Sequence, residues 1–360
     1  MKLYFKLICL ACTMLALHSC KQEKQEKQVT QEKEDLTVKE SSFAKSLVPG
    51  KFILKAENDD WWNWGMAPIY DEKGKLHVFM STIPHKGRWV KDSKIVHYTA
   101  DSPEGPYKFI DTTFASNKGT YHNPQVSKVG DTYVLVYLIK DKTTPRIAQQ
   151  IGIATTKSLD KPWVESPHNP IIKASGKMYG ANIIHASNPT FLVDEDGKYR
   201  IYYKSVTDKH KPKQYREISL AVSENIEGPY ENHTENPLIS YADIGIDIED
   251  PYAFYYKGMY HLIVEDRMDV KNTLEGKAKI TDKIKLGGNR PGLIYKSKDG
   301  IHWERPETSY NTNKFYFNHA LARSERPHIL WKDGKPECLF IACHDEDPTA
   351  GYFLRIKDWK

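Results

Sequence analysis

Short apolar runs separated by glycine-containing turns recur along the chain. Each copy has an apolar strand, a turn such as Asp71-Glu72-Lys73-Gly74, and a second strand rich in Tyr, His and β-branched residues. Glycine accepts the positive φ of a tight hairpin turn, so each copy predicts a β-hairpin. The copies, as first strand, glycine and second strand, are 67–70, Gly74 and 76–79; 124–126, Gly130 and 133–137; 189–192, Gly197 and 199–203; 251–254, Gly258 and 260–264; and 327–330, Gly334 and 338–341.

A further strand follows each hairpin and leads into a short turn with an aromatic residue. These strands are 96–98, 152–154, 220–222, 293–295 and 353–355. Units of three or four antiparallel strands, repeated about every 60 residues, predict an all-β fold, a five-bladed β-propeller, because radial repetition leaves few exposed sheet edges. The last unit lacks its outermost strand, and Phe52-Ile53-Leu54 is predicted to supply it and close the ring.

Length and composition agree with one large β domain. The chain has 360 residues, a length that all-β propellers reach as single domains. Its 22 Tyr and 8 Trp suit strands and sugar-stacking surfaces. The net charge of +5 is spread without a dense basic tract, which argues against a nucleic-acid partner.

The N-terminal residues have the features of an export signal. Lys2 and Lys6 precede an apolar run at 7–17 that is too short to span a bilayer, and Leu17-His18-Ser19-Cys20 resembles a bacterial lipobox. We therefore predict a signal peptide at 1–20 and a lipoprotein anchored through lipidated Cys20 in the periplasm or at the cell surface. Because His18 is unusual in a lipobox, a plain signal peptide is the alternative. Residues 21–46 are predicted to be a flexible charged tether, and residues 47–360 the propeller.

The two cysteines beyond the N-terminal region lie in one predicted strand. Cys338 and Cys343 are separated by an odd number of residues, so their side chains point to opposite faces and we expect two buried thiols without a disulfide. No zinc-type spacing occurs, and we predict no metal site and no cofactor.

Polar residues stand before the prolines of the first strands. These segments are 64–67 before Pro68, His122-Asn123 before Pro124, Ser187-Asn188 before Pro189, Glu249-Asp250 before Pro251, and Glu325-Arg326 before Pro327. In a propeller the first strand of each blade lines the central channel. The five segments are therefore predicted to ring the mouth of one pocket.

This layout resembles the five-bladed glycoside hydrolases of family 43, with family 117 and the invertase-like families as relatives. The resemblance rests on the blade count, on turns such as Gly228-Pro229-Tyr230, and on the polar starts before proline. It implies an Asp base on the first blade, a supporting Asp on the third and a Glu acid on the fourth. Glu249 matches the acid, whereas Ala67 precedes Pro68 on blade one and Asn188 stands at the third-blade position. Related propellers sometimes hold a divalent cation in the channel, and His side chains would help to bind it here.

Glycoside hydrolysis usually needs two carboxyl groups, one protonated and one ionised. With Glu249 as the acid, Asp60 is the first choice of base and Asp250 the second, and Glu325 is a further catalytic candidate. Glu249, Asp250 and Glu325 lie on adjacent predicted blades, so mutual perturbation of their pKa values is expected.

Other residues are predicted to bind the sugar. Trp62 and Trp64 would form a stacking platform. Candidate hydrogen-bonding residues are Asn63, His122, Asn123, His185 and Asn188. Arg267, Arg326 and His328 would either bind a carboxylate or sulfate on the sugar or neutralise the nearby acids.

These features predict a glycoside hydrolase, exo-acting on an oligosaccharide derived from a polysaccharide. Two alternatives remain open at this point, a non-catalytic glycan-binding propeller and a five-bladed glycoside phosphorylase, for which the Arg and His residues at the mouth would bind phosphate.

Overall fold

The computed structural model describes residues 38–54, 61–117, 119–141, 148–174, 183–207, 213–267, 291–311, 323–344 and 350–359. Within these ranges the strands form five four-stranded antiparallel sheets. Each sheet corresponds to one predicted unit, which confirms the all-β, five-bladed propeller.

The first four blades each run through four consecutive strands, from the channel outward. Blade one has β2 (Trp61–Tyr70), β3 (Leu76–Pro84), β4 (Lys94–Ala100) and β5 (Lys108–Phe114). Blade two has β6 (Gly119–Val129), β7 (Thr132–Asp141), β8 (Gln150–Thr156) and β9 (Val164–Glu165). Blade three has β10 (Ile183–Val193), β11 (Tyr199–Thr207), β12 (Arg216–Ser223) and β13 (Glu231–Asn232). Blade four has β14 (Glu249–Tyr256), β15 (Met259–Glu265), β16 (Gly292–Ser297) and β17 (Glu307–Tyr310).

The fifth blade joins the two ends of the described chain. It has β18 (Arg323–Lys332), β19 (Lys335–His344), β20 (Ala350–Ile356) and, as its outermost strand, β1 (Leu47–Leu54). Phe52 pairs with Tyr352, and Leu54 with Gly351, so the predicted ring closure is confirmed. The innermost strands also contact one another in a closed cycle, β2 to β6, β6 to β10, β10 to β14, β14 to β18 and β18 back to β2.

Helical structure is scarce in the described ranges. It consists of α1 (Ser42–Ser46), α2 (Trp89–Asp92) and a 3₁₀ turn at Ala242–Ile244. None of these helices has the length and apolar character needed to cross a bilayer.

The core is divided into clusters, and each of the five large ones fills the space between two neighbouring blades. Because successive side chains of a strand point to opposite faces of its sheet, one strand contributes side chains to two clusters. Cys338 of β19 packs against blade one and Cys343 of the same strand against blade four. Both are free, buried thiols, as predicted. Each sheet is therefore apolar on both faces, which keeps the innermost strands in fixed positions around the channel.

The packed domain begins earlier than the sequence predicts. The tether was predicted to extend to residue 46, but Val38 is buried between blades three and four, and Phe43 of α1 between blades four and five. The Phe43 ring meets the ring of Trp359 edge-on, with centroids 4.9 Å apart. Because residues 21–46 are mostly polar, the sequence does not indicate that Val38 and Phe43 are buried in the core. Residues 1–37, including Cys20 and the rest of the predicted tether, lie outside the described ranges.

Candidate active site

Each innermost strand carries the same irregularity near its start. In blade four, for example, Glu249 pairs with Glu265 and the next pair is Tyr252 with Ile263. The innermost strand therefore has two residues between these pairs, whereas its partner has one. This is a β-bulge, in which one extra residue re-aims the local side chains. The bulge recurs in all five blades. The first bulged residue has a positive φ in every case; these residues, which we call the belt, are Gly65, Asn123, Asn188, Asp250 and Arg326.

The bulges correct the alignment of blade one. The sequence placed Ala67 at the position of the family's first-blade Asp, because Ala67 precedes Pro68. The bulge shows that Gly65 is the counterpart of Asn188, and Met66 the counterpart of Pro189. Pro68 lies two residues farther along the strand. At the blade-one position where the family has an Asp, this chain therefore has a glycine, which carries no side-chain carboxylate.

Side-chain and backbone groups of the four belt residues other than Gly65 form a continuous hydrogen-bonded circuit across the channel. Asn123 Nδ2 donates to Asn188 Oδ1 at 2.8 Å, and Asn188 Nδ2 donates to Asp250 Oδ1. Asp250 Oδ2 accepts from the Arg326 backbone N–H at 3.1 Å. Arg326 then returns to blade two, where its Nη2 donates to the Asn123 carbonyl at 3.3 Å. In this way Arg326 crosses the space left open by Gly65.

A cavity of about 970 Å³ opens beside the belt. Predicted site residues that line it are Trp62, Trp64, His122, Asn123, His185, Asn188, Glu249, Asp250, Arg267 and Glu325. These residues come from all five blades and are separated by up to about 260 positions in the sequence. The predicted convergence at one pocket thus holds for most of the candidates.

Other candidates lie elsewhere. Asn63 is buried and does not line the cavity. Arg326 and His328 border a separate narrow cleft along the channel, because Arg326 turns toward Asp250 and His328 packs against the Tyr252 ring at 4.7 Å. Asp60, the predicted base, falls outside the described ranges.

One wall of the cavity is aromatic. Trp62 and Trp64 come from β2, and Trp89 comes from α2 in the same blade. Trp89 stacks on His122 with centroids 5.1 Å apart and stays partly open to the cavity. Trp89 was not among the predicted residues because it lies in a connection between strands. We refer to Trp62, Trp64 and Trp89 as the aromatic wall.

The opposite wall is cationic and surrounds Glu249. Lys204 Nζ pairs with Glu249 Oε1. Arg267 Nη1 lies 3.1 Å, and Arg216 Nε 3.4 Å, from Glu249 Oε2. We refer to Lys204, Arg216 and Arg267 as the cationic wall. Sequence reasoning missed Lys204 and Arg216, although a lysine inside the buried run of β11 was a usable signal.

Burial raises the pKa of Glu249, but Lys204, Arg216 and Arg267 outweigh burial and lower that pKa to about 2. The adjacent Asp250 behaves in the opposite way. Burial raises the pKa of Asp250, and the negative charges of Glu249 and Glu325 raise it further. Together they outweigh the lowering effect of Arg326, so the pKa is about 6. The pKa values of these two consecutive carboxyl groups are therefore shifted in opposite directions.

The two cavity histidines are neutral. Burial, with Arg326 and Lys204 adding to it, lowers the pKa of His122 to about 3. Burial and nearby cations also lower the pKa of His185. His185 Nδ1 accepts from the Gln149 backbone N–H at 3.3 Å, which leaves Nε2 as the protonated nitrogen.

Carboxylates beside the belt have the oxygen ligands that a hard cation prefers. Oxygen atoms of Asp250, Glu265 and Glu325 lie within 4.8 Å of one another, and all three side chains are buried. The guanidinium of Arg326 stands 3.6 Å from Asp250, and this fixed positive charge opposes a divalent ion there. Within this cluster the negative charge of Glu325 contributes to the raised pKa of Asp250.

No protein-family model matches the sequence. No curated protein matches it either.

Solved structures share the fold at low sequence identity. One is Zg3597, a family 117 glycoside hydrolase produced by the marine bacterium Zobellia galactanivorans, with 14% identity, coverage of 89% of this chain and 93% of that one, and a TM-score of 0.59. Another is an exo-1,5-α-L-arabinanase from a bovine ruminal metagenomic library, with 14% identity, 82% and 93% coverage, and a TM-score of 0.56. A third is the GH43_1 enzyme from Xanthomonas citri complexed with xylotriose, with 11% identity, 87% and 91% coverage, and a TM-score of 0.54. The chain thus has the five-bladed propeller fold found in glycoside hydrolases of families 117 and 43.

Proposed function

We propose that the cavity is the active site of a glycoside hydrolase that removes sugar units from the end of a polysaccharide-derived oligosaccharide. The observation that carries the proposal is the adjacent pair Glu249 and Asp250 at one pocket, where three cations surround Glu249 and lower its pKa while burial raises the pKa of Asp250. Pairs of this kind are how one site supplies both an ionised and a protonated carboxyl group.

The roles follow from the charges around each group. Glu249 faces three cations and stays ionised. It is therefore suited to stabilise the positive charge of an oxocarbenium-like transition state, to attack the anomeric carbon as a nucleophile, or to activate the attacking water as a base. Asp250 retains a proton up to about pH 6 and is suited to protonate the leaving oxygen. This assignment differs from the resemblance, which gave the acid role to Glu249.

The shape of the cavity supports action at a chain end. The belt spans the channel with its hydrogen-bonded circuit, so the cavity and the cleft bordered by Arg326 share no lining residue. A pocket with a floor accepts a terminal sugar rather than the middle of a chain. The aromatic wall offers a stacking face for that sugar, and His185 Nε2 and Gln149 add polar groups.

A panel of oligosaccharides and aryl glycosides tests the proposal. The purified protein is incubated with each compound, and released monosaccharide is quantified by chromatography. We expect turnover of at least one compound and single sugars as the first product. Asp250→Asn should lower kcat on the order of a hundred- to ten-thousand-fold for substrates with poor leaving groups and less for activated aryl glycosides. Binding of glycans without any turnover would instead support the binding-module alternative.

We also propose that the protein is exported and anchored by lipid on Cys20. The motivation is the signal-like segment that ends in Leu17-His18-Ser19-Cys20. In cell fractionation, Cys20→Ala should move the protein from the membrane fraction to the soluble fraction, and unchanged membrane association would contradict the proposal.

A further inference from the structure

We infer that the cationic wall is a binding site for an oxyanion, either a carboxylate or sulfate carried by the sugar or free phosphate. This inference rests on the proposed function because it names the chemical class that the same cavity recognises. The site is defined by Lys204, Arg216 and Arg267. The ammonium group of the lysine and the guanidinium groups of both arginines contact the Glu249 carboxylate.

The first argument is charge. Two carboxylates pair directly with the cationic wall, those of Glu249 and Asp247, the latter with Arg216 Nη1. Glu265 also attracts Arg216, and Asp250 also attracts Lys204. The three cations are nevertheless concentrated on one side of the cavity, where they would attract an anionic ligand.

The second argument is the number of donors. Arg267 uses Nη1 for Glu249, and Arg216 uses Nε and Nη1 for Glu249 and Asp247. Among the described residues, neither arginine uses its Nη2 group in a contact, and the Lys204 ammonium has donors beyond the one on Glu249. Each of these N–H groups can donate a charge-assisted hydrogen bond to an oxygen of a carboxylate, sulfate or phosphate.

The third argument is the arrangement of the cavity. The aromatic wall belongs to blade one, whereas the cationic wall belongs to blades three and four on the far side. A sugar ring stacked on the tryptophans would direct a substituent across the cavity toward Lys204 and Arg267. Arg216 is the most exposed of the three side chains, at 33%, and is open to an incoming ligand.

Isothermal titration calorimetry at low ionic strength tests the inference without any turnover. The probes are D-glucuronate and D-galacturonate, their neutral counterparts D-glucose and D-galactose, and inorganic phosphate and sulfate. A charge-assisted contact is worth enough to give about tenfold or more in affinity. We expect at least one anion to bind about tenfold more tightly than the neutral sugars, and the preference to shrink as salt is added.

The same experiment distinguishes an anionic group carried by the sugar from a free inorganic anion. Tighter binding of a uronate than of either inorganic ion identifies an anionic group on the sugar. Tighter binding of phosphate or sulfate identifies a free ion or an ester. Equal affinity for charged and neutral probes contradicts the inference.

Variants confirm where the anion binds. Arg267→Gln and Lys204→Gln should each lower anion affinity about tenfold, whereas Arg267→Lys should keep most of it. Lys157→Gln is the matched control, because Lys157 is exposed and pairs with Asp131 on the surface. Thermal melts verify that each variant is folded. Wild-type anion affinity in both folded glutamine variants would overturn the inference. Because binding requires no catalysis, a protein that binds anions but cleaves no glycoside would refute the hydrolase proposal alone.

Discussion

Arg326 of the fifth blade lies across Gly65 of the first, so that a Cβ atom at position 65 would be 3.4 Å from Arg326 Cγ. The position that the resemblance assigns to a catalytic Asp is therefore covered by a cation. From there Arg326 reaches Asn123 and Asp250, and it holds together three blades that are distant in sequence. The side chain is buried, which makes its charge sensitive to the loss of its partner.

Replacing Arg326 should therefore affect both stability and the ionisation of Asp250. Arg326→Gln removes the cation that lowers the pKa of Asp250, so that pKa should rise further above its usual range. Breaking a buried ion pair costs about 3–5 kcal/mol of unfolding free energy. Urea denaturation measures this cost, and Arg326→Lys, which keeps the charge, should lose less. Equal stability of Arg326→Gln and the wild type would show that the circuit contributes little.

The strands and blades were predictable because their signals are local. Glycine turns and apolar alternation occur within about 20 residues, and repetition of the same unit leaves few alternative architectures. Even ring closure by Phe52–Leu54 followed from counting strands. The register of blade one was not predictable in this way, because a bulge is defined by pairing with the neighbouring strand. Proline marks the bulge in four blades, but Met66 replaces it in blade one, and Pro68 suggested a false alignment.

The site was predicted in part for a similar reason. Polar residues before proline identified Glu249, Asp250 and Glu325 correctly as cavity residues. Lys204 and Arg216 lie on second and third strands, and Trp89 lies between strands, so the polar-before-proline pattern of the first strands does not include them. The charges of Lys204 and Arg216 lower the pKa of Glu249, which is why we propose a different role for it than the resemblance implies. These contacts across strands could not be inferred from sequence spacing.

The pH dependence of kcat/KM should show a decrease at high pH that is caused by deprotonation of Asp250. Its folded pKa of about 6 lies above the usual value of 3.8, so the proton needed for general acid catalysis is lost as the pH rises through 6. We expect kcat/KM to fall about tenfold per pH unit above that point. Initial rates between pH 4.5 and 8 on any turned-over substrate measure this decrease. A rate that increases steadily from pH 5 to 8 would contradict the assignment of the acid.

Stability should decline in acid because several histidines are buried in the neutral form. Burial lowers the pKa of His97, with His77 adding to it, and that of His328, with Arg326 adding to it, each to about 3. The unfolded chain binds these protons near pH 6.5, so their stabilising contribution is present above 6.5 and is lost as the pH falls toward 3. Melting temperatures between pH 7 and 4.5 should fall, and more gently in a folded His328→Phe variant. His302→Gln is the control, because His302 is exposed and its pKa is raised by Asp299.

The segment 38–46 should be necessary for a stable propeller. Phe43 is fully buried between blades four and five, so Phe43→Ala should cost about 3–5 kcal/mol of unfolding free energy. Lys45→Ala on the exposed side of α1 should cost less than 0.5 kcal/mol, as is usual for surface changes. Chemical denaturation compares the two variants. A negligible effect of Phe43→Ala would mean that this segment is a tether after all.

Glu249→Gln tests the central claim most directly, because the amide keeps the shape of the side chain and removes the negative charge. The variant is compared with the wild type by kcat/KM on two aryl glycosides of one sugar, one with a good and one with a poor leaving group. An ionised Glu249 that acts on the sugar itself predicts a loss on the order of a thousandfold or more for both substrates. A loss confined to the poor leaving group would make Glu249 the proton donor, and near wild-type turnover of both would remove it from the chemistry and contradict the account.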